Sequence, residues 1–149
     1  MGRNKYPEET VAKILDAALE LFCAQGYEGT SIQDIVDRLD GMTKGAIYHH
    51  FKSKEEIFNA AFDRAMAPVA ERRRATLSAG NMTGAQKLKR LYAPESVVPQ
   101  IELWARIHPA ADPVKSSRLL ALQYQGSFDE SADGYLLPVI EEGIADGSI

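Results

Sequence analysis

The segment from Thr30 to Phe51 constrains the fold of this chain more than any other. It contains two short stretches with apolar residues at helical spacing, TSIQDIVDRL and KGAIYHHF, separated by the turn sequence DGMT. Helices this short are unstable alone in water, so both need a larger element to pack against. Two short helices joined by a glycine-containing turn and braced by a longer helix form a helix-turn-helix.

A longer amphipathic helix precedes this segment. Its sequence, PEETVAKILDAALELFCAQGY, begins with Pro7 and two glutamates, which suit the positive end of a helix dipole. Gly26 is its predicted stop. The apolar residues expected to pack against it are Ile32, Ile35, Ile47 and Phe51. Capping patterns predict the starts of three further helices: Thr30 with Gln33, Thr43, and Ser53 with Glu56.

The rest of the chain also has helical periodicity. The fourth helix is expected to bend or to be interrupted at Pro68. Further helices are predicted up to Pro94, after Pro99, over VKSSRLLALQYQGSF and over YLLPVIEEGI. The sequence contains no alternating strand pattern. We therefore predict an all-α chain, with a helix-turn-helix domain over residues 1–54 and a second helical domain over residues 55–149.

Charge and composition restrict the classes of function. The net charge is −4 over 149 residues, yet residues 41–54 contain three Lys, two His and no acid. Such a local positive surface is compatible with DNA binding. No apolar run is long enough for a membrane helix, and the N-terminus lacks the apolar core of a secretory signal. The single Cys23 excludes an internal disulfide and fits a reducing cytoplasm, where we expect the protein to act.

The residues around the third helix suit an element that enters the major groove of DNA. Gly45 and Ala46 are small and permit close approach, and Thr43 and Lys44 can reach base edges or phosphates. Side chains that can donate hydrogen bonds to phosphate oxygens surround them: Thr30, Tyr48, His49, His50, Lys52 and Lys54.

These residues also resemble a known family. TSIQDIV followed by TKGAIYHHFKSKEEIF is similar to the DNA-binding domain of the TetR family of bacterial transcriptional regulators. The family signature G-x-x-Y-x-H-F-x-x-K falls on Gly45, Tyr48, His50, Phe51 and Lys54. One departure is the turn LDGMT, which is one residue longer than the commonest family turn, A-G-V-S.

The resemblance implies roles for individual residues. Tyr48, His50 and Lys54 would contact phosphates. The positions that often touch bases in the family are those of Thr43, Lys44, Ala46 and His49. The whole match covers residues 10–58.

The resemblance also implies a mechanism. The chain is expected to be a ligand-responsive repressor that binds a palindromic double-stranded DNA operator as a homodimer. A small-molecule effector would bind in the C-terminal domain and release the DNA. Family chains usually continue with two more helices beyond the position of Ile149, so either this chain is truncated or its dimer is built differently.

Several residues after the first domain are candidates for lining the effector pocket. Each is also suited to an ordinary core, or in one case to a helix end, so both interpretations stay open. These residues are Phe62, Met66, Tyr92, Leu103, Trp104, Arg106, Tyr124 and Phe128.

Other functional classes have less support in the sequence. His49 and His50 lack companion ligands at metal-binding spacing, so neither a metal site nor a cofactor is predicted. No nucleophile, phosphate-binding or dinucleotide motif occurs, so we predict that the chain is not an enzyme. The alternatives are a helical interaction module that keeps the helix-turn-helix as a scaffold, which the acidic total charge suits, and a small helical enzyme.

Overall fold

A computed structural model of the chain describes residues 7–107 and 132–149. These residues form α-helices and one π-helical turn, without a strand among them, which confirms the predicted all-α class. The elements are α1 (Pro7–Gly29), α2 (Ile32–Arg38), α3 (Lys44–His50), α4 (Lys54–Leu77), α5 (Gly84–Leu91), α6 (Pro94–Ile107), the π-helical turn Ala132–Leu136 and α7 (Leu137–Ala145).

The described helices divide into two units. The first comprises residues 7–65 and 105–107, and the second comprises residues 66–104 and 132–149. The helix predicted over VKSSRLLALQYQGSF lies outside the described residues. None of the described helices combines the length and apolar character that a membrane crossing requires.

The core of the first unit is built on α1. Its inward face supplies Ile14, Ala18 and Phe22, and α2 and α3 supply Ile35 and Ile47. The start of α4 completes this core with Ile57, Phe58 and Ala61. Because α2 and α3 each contain seven residues, burial of Ile35 and Ile47 is what holds them in place.

Helix α1 has one break, at Gly26. The φ angle there is 82°, a value that residues with a side chain rarely adopt. Gly26 therefore ends the regular helix as predicted, although the chain makes one more turn before α2. Beyond the break the Tyr27 ring packs against Phe22 and Phe58, with ring centroids 5.7 and 5.4 Å away.

The N-cap of α2 is Ser31 and not the predicted Thr30. Ser31 Oγ accepts a hydrogen bond from Asp34 N at 3.1 Å, and Asp34 Oδ2 accepts one from Ser31 N at 2.7 Å. The Thr30 hydroxyl instead donates to the Gly26 carbonyl oxygen at 2.7 Å. The predicted cap of Thr30 with Gln33 is wrong by one residue, because the break at Gly26 offers that hydroxyl a carbonyl partner.

The other two predicted caps are confirmed. Thr43 Oγ1 accepts a hydrogen bond from Ala46 N at 3.2 Å. Ser53 Oγ accepts one from Glu56 N at 3.1 Å. Each bond satisfies an amide that has no partner within its own helix, so α3 and α4 begin where the capping residues indicate.

The prolines interrupt the chain less than predicted. Helix α4 continues through Pro68, which is exposed, so water can bond the carbonyl that loses its partner there. Helix α6 begins at Pro94 and contains Pro99, although the sequence predicts a start after Pro99. Proline at the first position of a helix costs nothing, because the amide there has no helical partner anyway.

In the second unit, α5 and α7 meet at a pair of glycines. A Cβ atom on Gly84 would lie 2.3 Å from Gly143 Cα, so the two backbones are in contact. Beside this crossing, Lys87 Nζ donates to both carboxylate oxygens of Glu142, at 2.7 and 2.8 Å. Lys87 is only 5% exposed, and the paired carboxylate offsets the cost of removing its charge from water.

The residues after α7 cap the start of α5. Gly84 N donates to Asp146 Oδ2 at 2.9 Å, and Ala85 N donates to Ser148 Oγ at 3.1 Å. Hydrogen bonds from Ser148 and from the Gly84 amide lower the pKa of the Asp146 carboxyl. The charged form of Asp146 therefore stabilises the folded second unit.

We expect Asp146 to make the second unit sensitive to acid. Because the pKa of its carboxyl is lower in the folded protein, its contribution is complete above the ordinary value of 3.8 and is lost as pH falls through the folded value. Urea unfolding at about pH 6 and about pH 2.5 should show a larger loss for wild type than for Asp146→Asn. Hydrogen bonds from Ser31 also lower the pKa of the Asp34 carboxyl. Asp34 is present in both wild type and Asp146→Asn, so its effect on stability cancels in the comparison. Equal losses would contradict this role for Asp146.

Candidate nucleic-acid interface

Helix α3 is anchored by one side chain and presents most of the others to solvent. Ile47 is 0% exposed and lies in the core of the first unit, whereas its neighbour Tyr48 is 53% exposed. The Thr43 cap fixes the first turn. The structure thus holds α3 firmly while leaving the Tyr48 ring available to a partner.

Most residues predicted to contact DNA are accessible along and beside α3. The exposed ones are Thr43, Lys44, Gly45, Tyr48, His49 and Lys52, and the half-buried ones are Ala46 and His50. We call these eight residues the α3 surface. They contribute hydroxyl, ammonium and imidazole groups and no carboxylate, which is the chemistry that binds phosphates and base edges.

Gly45 has no structural need to be glycine. A Cβ atom at this position would meet only the Thr43 hydroxyl, 3.9 Å away, which is an ordinary contact. Its φ angle is not in the positive region. The fold would therefore accept alanine at this position. The absence of a side chain at Gly45 leaves space on the exposed side of α3, where a partner can approach the backbone closely.

Two of the predicted contacts, Thr30 and Lys54, have partners inside the protein. Thr30 is 1% exposed, and its hydroxyl is bonded to the Gly26 carbonyl. Lys54 Nζ donates to the carbonyl oxygens of Tyr27 and Thr30 at 2.6 and 2.9 Å. Burial lowers the pKa of the Lys54 ammonium. Phosphate contacts by Thr30 and Lys54 stay predictions, but the geometry does not favour them.

One carboxylate near the α3 surface, that of Glu56, has a partner that the sequence does not indicate. Glu56 Oε2 accepts a hydrogen bond from Lys52 N at 2.6 Å, so a negative charge lies next to Lys52. The capping pattern of Ser53 with Glu56 places Glu56 in the first turn of α4, but it does not indicate that the carboxylate bonds the Lys52 amide. Tyr27 contacts Lys54 through its carbonyl oxygen and the face of its ring. Nothing in the sequence indicated that Tyr27 would contact α4.

The adjacent histidines of α3 do not form part of a metal centre in the described structure. The His49 and His50 rings have centroids 5.2 Å apart in an edge-on arrangement. Over residues 7–107 and 132–149, no group of three or more His, Cys, Asp or Glu side chains could hold a metal ion. The imidazoles are therefore available as hydrogen-bond donors.

The predicted effector residues are divided between the two units. Phe62 and Leu103 are buried, Met66 is half-buried and Arg106 is exposed. Tyr92 is exposed and lines a pocket in the second unit. Tyr124, Phe128 and the side chain of Trp104 lie outside the described residues. An effector role for each of them stays a prediction.

Comparison with known proteins places the α3 surface in a family context. Residues 14–61 match the family model for bacterial regulatory proteins of the tetR family. The chain is 41% identical over 64 residues to the HTH-type transcriptional regulator AcrR of Shigella flexneri, covering 43% of this chain and 29% of that regulator. It is 43% identical over 56 residues to the HTH-type transcriptional regulator TtgR of Pseudomonas putida, covering 38% of this chain and 26% of that regulator.

A solved structure is similar to this one in fold. The crystal structure described as "Probable transcriptional regulatory protein RHA5900" superposes with a TM-score of 0.55 over 93% of this chain and 73% of that one. At 24% sequence identity this likeness concerns the fold alone.

The sequence matches and the geometry point to the same part of the molecule. The matches to the two curated regulators span less than a third of their length, and the family match includes α2, α3 and the start of α4. The relatives are transcriptional regulators and not enzymes, in agreement with the prediction from the sequence. The family match, the curated relatives and the helix-turn-helix geometry together identify residues 14–61 as a domain of the tetR family of bacterial regulatory proteins.

Proposed function

We propose that this chain is a DNA-binding transcriptional repressor of the cytoplasm that inserts α3 into the major groove of an operator. The observation that carries this proposal is the α3 surface, which is free of carboxylates and rests on the buried Ile47. Thr43, Lys44, Ala46 and His49 would face base edges, and Tyr48, His50 and Lys52 would bond phosphates.

The proposed repressor works as a homodimer on a palindromic operator. Two copies of α3 would then lie about 34–36 Å apart, one turn of DNA, so that both enter successive major grooves. A single seven-residue helix offers few phosphate contacts, and doubling them multiplies affinity.

We further propose that a small molecule releases the DNA. The second unit contains a pocket of about 230 Å³ that supports this step. Its lining is apolar and aromatic with polar and cationic groups at Arg73, Ser96 and Gln100. The Arg73 guanidinium carbon lies 4.9 Å from the centroid of the Tyr135 ring. A ligand with an apolar body and one carboxylate suits this lining, and a hundredfold loss of operator affinity would need about 2.7 kcal/mol of coupling.

DNase footprinting tests the proposal directly. The purified protein is applied at physiological salt to the DNA upstream of its own gene, with and without benzoate as a probe of the pocket. A protected palindrome of about 15–30 base pairs is expected, since that length spans successive major grooves. Weaker protection with benzoate would support release by an anionic ligand. Absence of protection would favour the interaction module, in which the helix-turn-helix is a scaffold.

Substitutions in α3 should separate base reading from phosphate binding. We expect Tyr48→Phe, which removes a hydroxyl from a phosphate contact, to weaken binding to operator and unrelated DNA by the same factor. We expect Lys44→Ala to reduce operator binding more than unrelated binding, by about 1–3 kcal/mol if Lys44 reads a guanine. Gel-shift titrations of both variants on both DNAs measure this. Equal effects of Lys44→Ala on the two DNAs would refute its base-reading role.

A further inference from the structure

Lys54 is the first residue of α4, and its ammonium group reaches back to the junction between α1 and α2. Nζ lies 2.6 Å from the Tyr27 carbonyl oxygen and 2.9 Å from the Thr30 carbonyl oxygen. It also lies 4.2 Å from the centroid of the Tyr27 ring, over its face. All three contacts belong to the segment between the break at Gly26 and the start of α2.

This arrangement uses most of the bonding capacity of the ammonium group. A lysine ammonium has three N–H donors, and two of them are bonded to backbone carbonyls. The ring face of Tyr27 adds a favourable cation–π contact. At most one donor of Lys54 remains for a phosphate oxygen. Lys52, two residues earlier, is exposed and has no such arrangement of carbonyls around it in the described structure.

The same junction contains a second internal bond. The buried Thr30 hydroxyl donates to the Gly26 carbonyl at 2.7 Å, and the Thr30 carbonyl accepts from Lys54. Hydrogen bonds therefore run from the end of α1 through Thr30 to the start of α4. Helix α2 begins directly after this junction, and α2 contacts α3. The position of the junction helps to determine where the α3 surface lies.

We propose that Lys54 is a positioning residue that fastens the start of α4 to the α1–α2 junction, and that it is not a phosphate contact. This inference rests on the proposed function, because it concerns how the DNA-binding surface is held. A displacement of the first turn of α4 would pull on the carbonyls of Tyr27 and Thr30, and so would act on the junction from which α2 and α3 continue.

The salt dependence of DNA affinity distinguishes a positioning residue from a phosphate contact. Each phosphate contact contributes about 0.9 to the slope of log affinity against log salt. We expect Lys54→Met to raise the operator Kd by about tenfold at every salt concentration, as when only a tenth of the molecules keep the competent geometry. Its slope should equal that of wild type. The matched control, Lys52→Met, should reduce the slope by about 0.9. A slope for Lys54→Met that is lower by the same amount would overturn the proposal.

Stability provides a measurement that needs no DNA. We expect the melting temperature of Lys54→Met to fall by about 5 °C or more and that of Lys52→Met to stay unchanged. A wild-type melting temperature for Lys54→Met would overturn the fastening role. If wild type binds no DNA, the proposed function fails, and this comparison still decides the role of Lys54.

Two controls separate positioning from general unfolding. Affinities are compared at a temperature where circular dichroism shows each variant fully folded, so that a smaller folded fraction does not explain a higher Kd. Should Lys54→Met fail to fold, a structural role is supported, and Lys54→Gln is measured in its place. Its amide can still donate to one carbonyl, so we expect an intermediate melting temperature and the wild-type salt slope. A reduced slope for Lys54→Gln would contradict the assignment.

Discussion

Replacing Gly84 with alanine is expected to lower the free energy of unfolding of the second unit by about 2 kcal/mol. The new methyl group would lie 2.3 Å from Gly143 Cα and N and 2.7 Å from the Val139 carbonyl oxygen. These are backbone atoms, so α5 and α7 would have to separate, at a cost of about 3 kcal/mol. The better helix propensity of alanine returns about 1 kcal/mol of this. Urea unfolding followed by circular dichroism measures the difference.

Two other glycines serve as controls for Gly84→Ala. Gly80→Ala should change stability by less than about 0.5 kcal/mol, because nothing lies within 4 Å of the added methyl group. Gly143→Ala should fall between the two, because its methyl group would meet the side chain of Ile149, which can move. If Gly84→Ala is as stable as Gly80→Ala, the close crossing of α5 and α7 is not what holds the second unit together.

Replacing Ile47 with alanine is expected to destabilise the first unit by about 2–5 kcal/mol. Ile47 is the buried residue of α3, and a helix of seven residues has little stability without such an anchor. DNA affinity should fall as well, because the groups of the α3 surface would lose their fixed positions. Urea unfolding and gel-shift titration of the same preparation test both consequences.

The adjacent residue gives the matched comparison. Tyr48→Phe removes an exposed hydroxyl, so its stability should stay within about 0.5 kcal/mol of wild type while its DNA affinity falls. Two neighbouring residues of α3 would thus have different roles: Ile47 packs in the core of the first unit, and Tyr48 binds DNA. A stable Ile47→Ala variant, or a destabilised Tyr48→Phe variant, would show that α3 is oriented differently from the structure described above.

The parts of the fold that follow local rules could be predicted from the sequence. The spacing of apolar residues located α1, α2 and α3, because the residues on the buried face of a helix recur every three or four positions. Thr43 and Ser53 marked the starts of α3 and α4, since a cap and its amide partner lie three residues apart. The exposed residues of the α3 surface could be named for the same reason, together with the resemblance to a family.

The features that depend on distant contacts could not be predicted in this way. Lys54 has the charge of a phosphate-binding residue, and its bonds to carbonyls 27 and 24 residues earlier exist only in the folded chain. The change of N-cap from Thr30 to Ser31 depends on the backbone direction at Gly26. The glycine crossing of α5 and α7 has no periodic signal, because Gly84 and Gly143 are each ordinary within their own helices.

The pairing of Lys87 with Glu142 also has a consequence for the order of synthesis. The two residues are 55 positions apart, so a ribosome adding about 5–20 residues per second makes Glu142 roughly 3–11 s after Lys87. During that interval α5 has neither its ionic partner nor the α7 backbone that covers Gly84. Helices α1 to α3 and the start of α4, whose core residues follow one another closely, can assemble before then. The nascent chain therefore carries a formed helix-turn-helix ahead of an unfinished second unit.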